Sequence, residues 1–341
     1  EGEADIVEEI LRIYGFEQIP LTNISDHNNK KNVLSAELKS FYKVKRAIAN
    51  TGYIEAVTWS FMDEKIAKIL SANVIMIKNP ISADLDVMRP SNIPNLLSAV
   101  NLNKSKMITS GKIFEVGPIF DETLEDKQVN VATGIGYGNV SGNNWNSPKK
   151  DFDVFAIKSD LMTILKSLNA PIDNLNYQAI NTKVFHPGKS SSLRIGKNII
   201  ANFGEINPIL LKSLDISNTV VAFEIFTETL AQFQNKKTST ISAFDNNPFQ
   251  MVERDFAFLL PKSIKANDIV NKIKKIDKKI INKVSIFDVY EGEKIDNQSK
   301  SIAIRVQLQP LEKTFSDEEI ESFSNQIIDT VITNFDATLR K

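Results

Sequence analysis

The sequence predicts an α+β protein in two folded parts: a mainly antiparallel sheet with helices, then a smaller βαββαβ unit. Three observations carry this. Apolar residues recur at helical spacing in some stretches and alternate in others. Several strand-like runs of the middle part are joined by short glycine turns, which favours antiparallel neighbours. Residues 248–341 read, in order, as strand, helix, strand, strand, helix, strand. Two polar stretches divide the chain, "NISDHNNKKN" at 23–32 and "QNKKTST" with "FDNNP" at 234–248. The expected parts are 1–22, 35–233 and 248–341, with linkers at 23–34 and 234–247.

The first element is a short helix in "EADIVEEILRIYGF". Ile6, Val7, Ile10, Leu11, Ile13 and Tyr14 share one side, expected to pack inward, and Gly15 is a left-handed stop. Asp5, Glu8 and Glu9 crowd the other side. They read either as a solvated acidic face, with Glu8 paired to Arg12, or as oxygen ligands for a hard cation such as magnesium. "ELKSFYKVKRAIANTG" is a helix with Leu38, Phe41, Val44 and Ile48 on one face, stopped by Gly52. "YIEAVTWSF" and "NVIMIKNP" read as strands, as do "KIFEVGPIF", "VATGIGYG", "SLRIGKNIIANFGEI" and "VVAFEIF". In "FHPGK", His-Pro-Gly is a turn signal, so His186 reads as structural rather than as a general base. "GIGYG" lies between strand-like segments, which makes it a hairpin or bulge rather than a phosphate loop.

In the last part, "RDFAFLLP" is a strand and "ANDIVNKIKKIDKKI" a helix striped by Ile269, Ile273, Ile276 and Ile280. "KVSIFDVYEG" and "KSIAIRVQLQ" are strands. "SDEEIESFSNQIIDTVITNF" is a helix opened by a Ser316–Glu319 capping box, and "ATLRK" closes the unit. This order is the ferredoxin-like split motif.

Composition narrows function. Over 341 residues, 42% hydrophobic and 24% charged content is ordinary for a globular chain. No apolar run approaches the roughly 20 residues of a membrane span, and the first residues carry no signal-peptide pattern. The absence of cysteine excludes disulfides, thiolate zinc sites and cysteine nucleophiles, and His27 and His186 are the only histidines. A net charge of −1 confines any nucleic-acid contact to a local patch. Residues 248–341 themselves balance 15 basic against 15 acidic residues. Arginine is scarce, at positions 12, 46, 89, 194, 254, 305 and 340, so each deserves notice where a planar fork is needed. The run "KIKKIDKKIINK" is either a solvated lysine face or a phosphate-contacting one. The isoleucine stripe turns Lys272, Lys275 and Lys279 outward. Arg254, Arg305 and Arg340 lie on strands, where they are candidates for forked contacts to phosphate or a base edge, and Tyr290 is a candidate to stack an unpaired base.

Several of these segments together carry a family resemblance. "NPFQMVERDFAFLL", "SIFDVYEGEKI", "KSIAIRVQLQP", "KTFSDEEI" and "ATLR" resemble the ferredoxin-fold anticodon-binding domain that closes the β subunit of bacterial phenylalanyl-tRNA synthetase. "ADIVEEILRIYGFEQIP" resembles the end of the small domain before that subunit's core. "NPISADLDVMRPSNIPNLLSAVNLN", "GKIFEVGPIF", "FHPGKSSSL" and "IANFGEINP" resemble the core itself. The resemblance implies a class II synthetase-like antiparallel sheet core that has lost its catalytic residues. No clear arginine pair for ATP stands in it, Arg194 is alone, and no catalytic residue is expected. It further implies an α2β2 assembly with an α subunit that charges tRNA-Phe using ATP, in the cytoplasm, this chain being the C-terminal part of β. Asp5, Glu8 and Glu9 match magnesium ligands of the family at the α–β junction, a set incomplete in this chain. The segments 35–51 and 53–61 resemble a subunit-interface motif, which leaves Phe41, Tyr42, Trp59 and Phe61 to divide between core and interface. The other class of reading is a free-standing tRNA-binding or regulatory module.

Overall fold

The computed structural model describes residues 2–21, 34–123, 126, 128–141, 145–146, 148–180, 182–234, 247–292 and 295–340. Nearly all of both expected linkers, and His27, lie outside the described residues. The chain divides into two compact units, Glu1–Thr238 and Ser239–Lys341.

The first unit opens with helix α1, Glu3–Tyr14. Its apolar stripe does not pack inward: no residue of α1 is buried, and Ile13 is 81% exposed. An amphipathic helix buries its stripe only where another element lies against it. None of the α1 side chains belongs to any of the buried clusters described here. Gly15 has positive φ (104°) with ψ of 123°, so it ends the helix without the left-handed geometry expected.

Helix α2, Ala36–Ala49, is capped by Ser35, whose hydroxyl accepts from the Leu38 amide at 3.2 Å. Val44 and Ile48 are fully buried and Phe41 packs beside them, while Leu38 remains exposed. Residues 53–61 do not form one strand. They yield β1 (Ile54–Glu55) and the start of β2 (Phe61–Met62), because the carbonyls of Trp59 and Ser60 between them bond to Arg89 instead of a ladder. After helix α3 (Glu64–Leu70), residues 73–80 contribute only a bridge from Met76 to Val87 of β3 (Val87–Met88). The partner chain turns at Ser82–Leu85, so the ladder stops there.

Helix α4 (Ile93–Ser105) precedes β4 (Gly111–Phe120) and β5 (Gln128–Tyr137). Then come α5 (Val154–Ser167), β6 (Asn176–Gln178), β7 (Phe185–Ile195), β8 (Asn198–Ile206), α6 (Pro208–Ser213), β9 (Val220–Phe226) and α7 (Thr227–Gln234). The sheet has seven strands in the order β1-β4-β5-β9-β8-β7-β6. All pairings are antiparallel except β1 with β4. One face packs α2, α5 and α7 over Phe114, Phe203 and Phe223, and the other packs α4 and α6 over Ile113, Ile135 and Ala222. The His-Pro-Gly turn falls inside β7, as a register break between Phe185 and Ser190. His186 Nδ1 accepts the Gly188 amide there, at 3.0 Å. "GIGYG" is the end of β5 and the turn after it. The ring of Phe223 lies over Gly134, where an added Cβ would stand 2.4 Å from Cζ.

The second unit has the expected βαββαβ order: β10 (Val252–Pro261), α8 (Ala266–Lys274), β11 (Ile281–Tyr290), β12 (Ser299–Leu308), α9 (Asp317–Phe335) and β13 (Thr338–Leu339). Its strand order is β11-β12-β10-β13. Helix α8 stops short of residue 280 because the Asp277 carboxylate accepts the amides of Lys279 and Ile280, at 2.8 and 3.0 Å. The four isoleucines still face the core, Ile269 and Ile273 fully and Ile276 and Ile280 partly buried. The Ser316–Glu319 capping box forms as expected, at 3.3 and 2.9 Å.

The closeness of Phe223 to Gly134 sets a test. Gly134→Ala should destabilise the first unit by about 1–3 kcal/mol through overpacking. Phe223→Leu in the same chain should remove part of that penalty. Urea unfolding of both variants measures it.

A buried polar row and a candidate RNA interface

The acidic face of α1 is exposed throughout. Asp5 caps the start of its own helix, its Oδ2 accepting the Gly2 amide at 2.7 Å. Glu9, not Glu8, pairs with Arg12 at 2.7 Å, three residues on. Among the described residues no group of three His, Asp or Glu side chains is arranged to hold a metal ion. The donors are oxygens of the class magnesium takes, but two of the three are engaged within their own helix. Further ligands or water would have to complete a shell.

The α4 face of the seven-stranded sheet holds a feature missed in the sequence reading. Register aligns Glu115 (β4), Thr133 (β5), Glu224 (β9), Asn202 (β8) and Ser192 (β7) in one row across five strands, all of them buried. Arg89, 1% exposed, pairs with Glu115 at 2.8 Å. The Arg89 guanidinium also donates to Thr58 Oγ1 at 2.9 Å, to the Trp59 carbonyl at 3.3 Å and to the Pro118 carbonyl at 3.0 Å. Thr58 Oγ1 in turn donates to Glu115 Oε2 at 2.6 Å. Gly117 makes room for this, since a Cβ there would lie 2.6 Å from Arg89 Nη2. Further along, Ser91 donates to Glu224 at 2.9 Å and Ser192 to Asn202 at 2.6 Å. The Asn92 amide donates to the Val131 carbonyl at 3.2 Å and to Thr133 at 3.3 Å. Asn92 Oδ1 and Arg194 Nε are buried without a partner. Burial raises the pKa of Glu224, opposed by hydrogen bonds from Ser91 and Asn202. Most of these polar groups are engaged with one another, so the row is a structural tie rather than a reactive centre. A signal was present in the sequence: Glu115 in "IFEVG" and Glu224 in "AFEIF" each interrupt an apolar run.

In the second unit the seven candidate RNA contacts separate. Lys272, Lys275 and Lys279 are exposed on α8 and the turn after it. Strand alternation puts Arg254 on the same sheet face as the buried Phe256 and Phe258. Its Nη1 donates to the Glu253 carbonyl at 3.0 Å. Arg305, Tyr290 and Arg340 lie on the other, open face. The fork of Arg305 is occupied: Nε and Nη2 donate to Asp255 at 2.8 and 2.7 Å, and Glu253 lies 3.5 Å from Nη1. This pairing lowers the pKa of Asp255, through the hydrogen bonds first, and raises that of Arg305. Phe287 lies 5.3 Å from the same guanidinium, and the Arg340 guanidinium 5.9 Å from the Tyr290 ring. Between them the floor on β10 and β12 is small, Ala257, Ser301 and Ala303, with Asp288 of β11 beside Ala303. Phe287 sits where β11 breaks register between Ile286 and Asp288, which nothing in "SIFDVY" signals.

Two outcomes test the row. Arg89→Met leaves the Glu115 carboxylate buried and unpaired and should cost about 3–5 kcal/mol, with Glu115→Gln added to it restoring part. For Glu224, whose pKa is raised on folding, stability is full below the ordinary carboxylate range and is lost as pH rises through the raised value. Glu224→Gln should flatten that fall in urea-unfolding curves taken across acid to neutral pH.

Comparisons with known proteins accord with both units. Residues 19–227 match the family model of the phenylalanyl tRNA synthetase beta chain CLM domain, and residues 247–340 match the ferredoxin-fold anticodon binding domain. The Phenylalanine--tRNA ligase beta subunit of Rhodospirillum rubrum is 36% identical over 341 residues, 99% of this chain and 43% of that protein. The protein of the same name from Bartonella quintana is 36% identical, covering 100% of this chain and 43% of its own length. The chain therefore spans less than half the length of these curated relatives. Among solved structures, a pyrrolysyl tRNA synthetase from Desulfitobacterium hafniense aligns over 67% of this chain and 73% of its own, at 12% identity and a TM-score of 0.45. With a core domain model covering most of the first unit and an anticodon-binding domain model covering the second, the chain belongs to the phenylalanyl-tRNA synthetase beta chain family.

Proposed function

We propose that this chain is the C-terminal part of a phenylalanine–tRNA ligase β subunit that supports ATP-dependent charging of tRNA-Phe without performing the chemistry. The observation that carries the reading is the ordered pair of domain matches, backed by relatives of that name aligned over nearly the whole chain. In this reading an α subunit in an α2β2 assembly binds ATP and phenylalanine, in the cytoplasm. The β core contributes a scaffold. Its polar row supports this role, because Arg89 and Glu115 bond each other and offer no free fork to a nucleotide. Among the described residues no helix is long and apolar enough to cross a membrane.

Assembly has a candidate surface in the first unit. Trp59 is 66% exposed and stacks on the half-buried Phe61 with ring centroids 6.5 Å apart; Val57 and Tyr42 are exposed as well. Interface cores favour such aromatic residues over charges. Magnesium, shared with the α subunit, would take Asp5, Glu8 and Glu9 as oxygen donors and relieve their mutual repulsion. tRNA would meet the second unit on two surfaces. Phosphates would meet Lys272, Lys275 and Lys279, and Arg254 at the strand start, while unpaired anticodon bases would meet the open face with Tyr290, Arg305 and Arg340.

Two experiments test this reading. The purified chain should show no phenylalanine-dependent pyrophosphate exchange, and co-expression with an α subunit should recover both subunits together; exchange by this chain alone would refute the assignment of catalysis. Changing Lys275 and Lys279 to alanine should weaken cognate and non-cognate tRNA about equally. It should also flatten the salt dependence by roughly 0.7–0.9 log units per lost contact. An unchanged slope in filter binding would make those lysines solvated surface only.

A further inference from the structure

The open face of the second unit carries two aromatic–guanidinium pairs, and they are built differently. Arg340 makes no ion pair among the described residues and contacts the Tyr290 ring. Arg305 is tied by two parallel bonds to Asp255 and lies within 3.5 Å of Glu253. Such a fork fixes the plane of a guanidinium and cancels its charge. It therefore has little left to offer a phosphate. Phe287, 56% exposed, lies by strand alternation on the same side of β11 as Ser285, over this plate and open to solvent, and the register break there turns Tyr290 to the same face. We propose that Phe287, Arg305 and Asp255 form a second stacking station for an unpaired base of single-stranded RNA, beside Tyr290, with Asp255 as the residue that positions the guanidinium. This rests on the reading of the open face as RNA-binding.

Three features support the assignment. Bases stack on aromatic rings and on guanidinium planes alike. Four-stranded sheets that read RNA use more than one aromatic on a single face. On β12 and β10 only Ser301, Ala303 and Ala257 lie between the two stations, and Asp288 of β11 stands at the same level as Ala303. The charge balance agrees. Glu253 and Asp255 offset Arg305, and Gln307 bonds Glu253 at 2.6 Å, so this half of the face favours stacking over phosphate attraction.

The test is a titration of the full chain with a short single-stranded RNA carrying 2-aminopurine, and with a tRNA-Phe transcript, across a salt series. Phe287 is exposed and Arg305→Lys keeps a cation beside Asp255, so both variants retain the core. Unfolding curves check that. Phe287→Leu and Arg305→Lys should each weaken binding by about fivefold or more, reduce 2-aminopurine quenching and leave the salt slope unchanged. Asp255→Asn should reduce quenching and steepen the slope, because the released guanidinium finds phosphate. Wild-type affinity in Phe287→Leu, or in Arg305→Lys, overturns the station. If Tyr290→Leu and Arg340→Ala weaken binding while the Phe287 and Arg305 variants do not, the RNA reading of the face stands and the second station is wrong. If none of the four changes binding, both fail.

Discussion

The first unit depends on one buried ion pair. Arg89 and Glu115 lie inside the α4 face of the sheet, where water cannot solvate either charge. Taking two ions out of water costs several kcal/mol each, and their attraction offsets this only if the remaining hydrogen-bonding groups are also met. Here they are, by Thr58 and by the carbonyls of Trp59 and Pro118. That requirement shapes the backbone. It draws the 57–60 segment away from the sheet and brings Arg89 against β4. It also leaves Gly117 no room for a side chain.

The rest of the row follows from the same constraint. A charged or polar side chain on a buried sheet face must find a partner, and the nearest candidates lie on the neighbouring strands at the same level. Register supplies them from Glu115 through to Ser192. The N-terminal end of α4 supplies Ser91 and Asn92 above. The site is polar enough to resemble a binding floor, yet its groups are largely engaged with one another.

The second unit divides its charges by face. Lys272, Lys275 and Lys279 stand out from α8 and the turn after it with no ion pair among the described residues, while on the open sheet face Arg305 is matched by Asp255 and Glu253. In the proposed reading, diffuse attraction and base recognition would therefore fall to different surfaces. A neutral, flat, aromatic floor is what stacking requires, and a crowded cationic one would hold phosphates in its place.

The sequence by itself determined the α+β class, the long strands of the first unit, the βαββαβ order of residues 248–341 and the family. These rest on local periodicity, capping residues and ordered motifs, all of which act within a few residues. Helix α9 with its Ser316–Glu319 box and the isoleucine stripe of α8 were legible for that reason, as were the long strands β4, β5 and β9. Tertiary structure alone decided what depended on distant partners. The strands expected over 53–61 and 73–80 mostly dissolved because their carbonyls and partners lay elsewhere, at Arg89 and in the 82–85 turn. The stripe of α1 stayed exposed because periodicity states which side is apolar, not whether anything covers it. Arg305 looked available for phosphate until its register brought Asp255 alongside from a strand 50 residues earlier. Tyr290 shares the open face only because the bulge after Ile286 shifts its register. The charged residues of "IFEVG" and "AFEIF" were visible as anomalies, but their partners came from other strands and from α4. Pairing across a sheet is set by register, and register is a property of the folded chain.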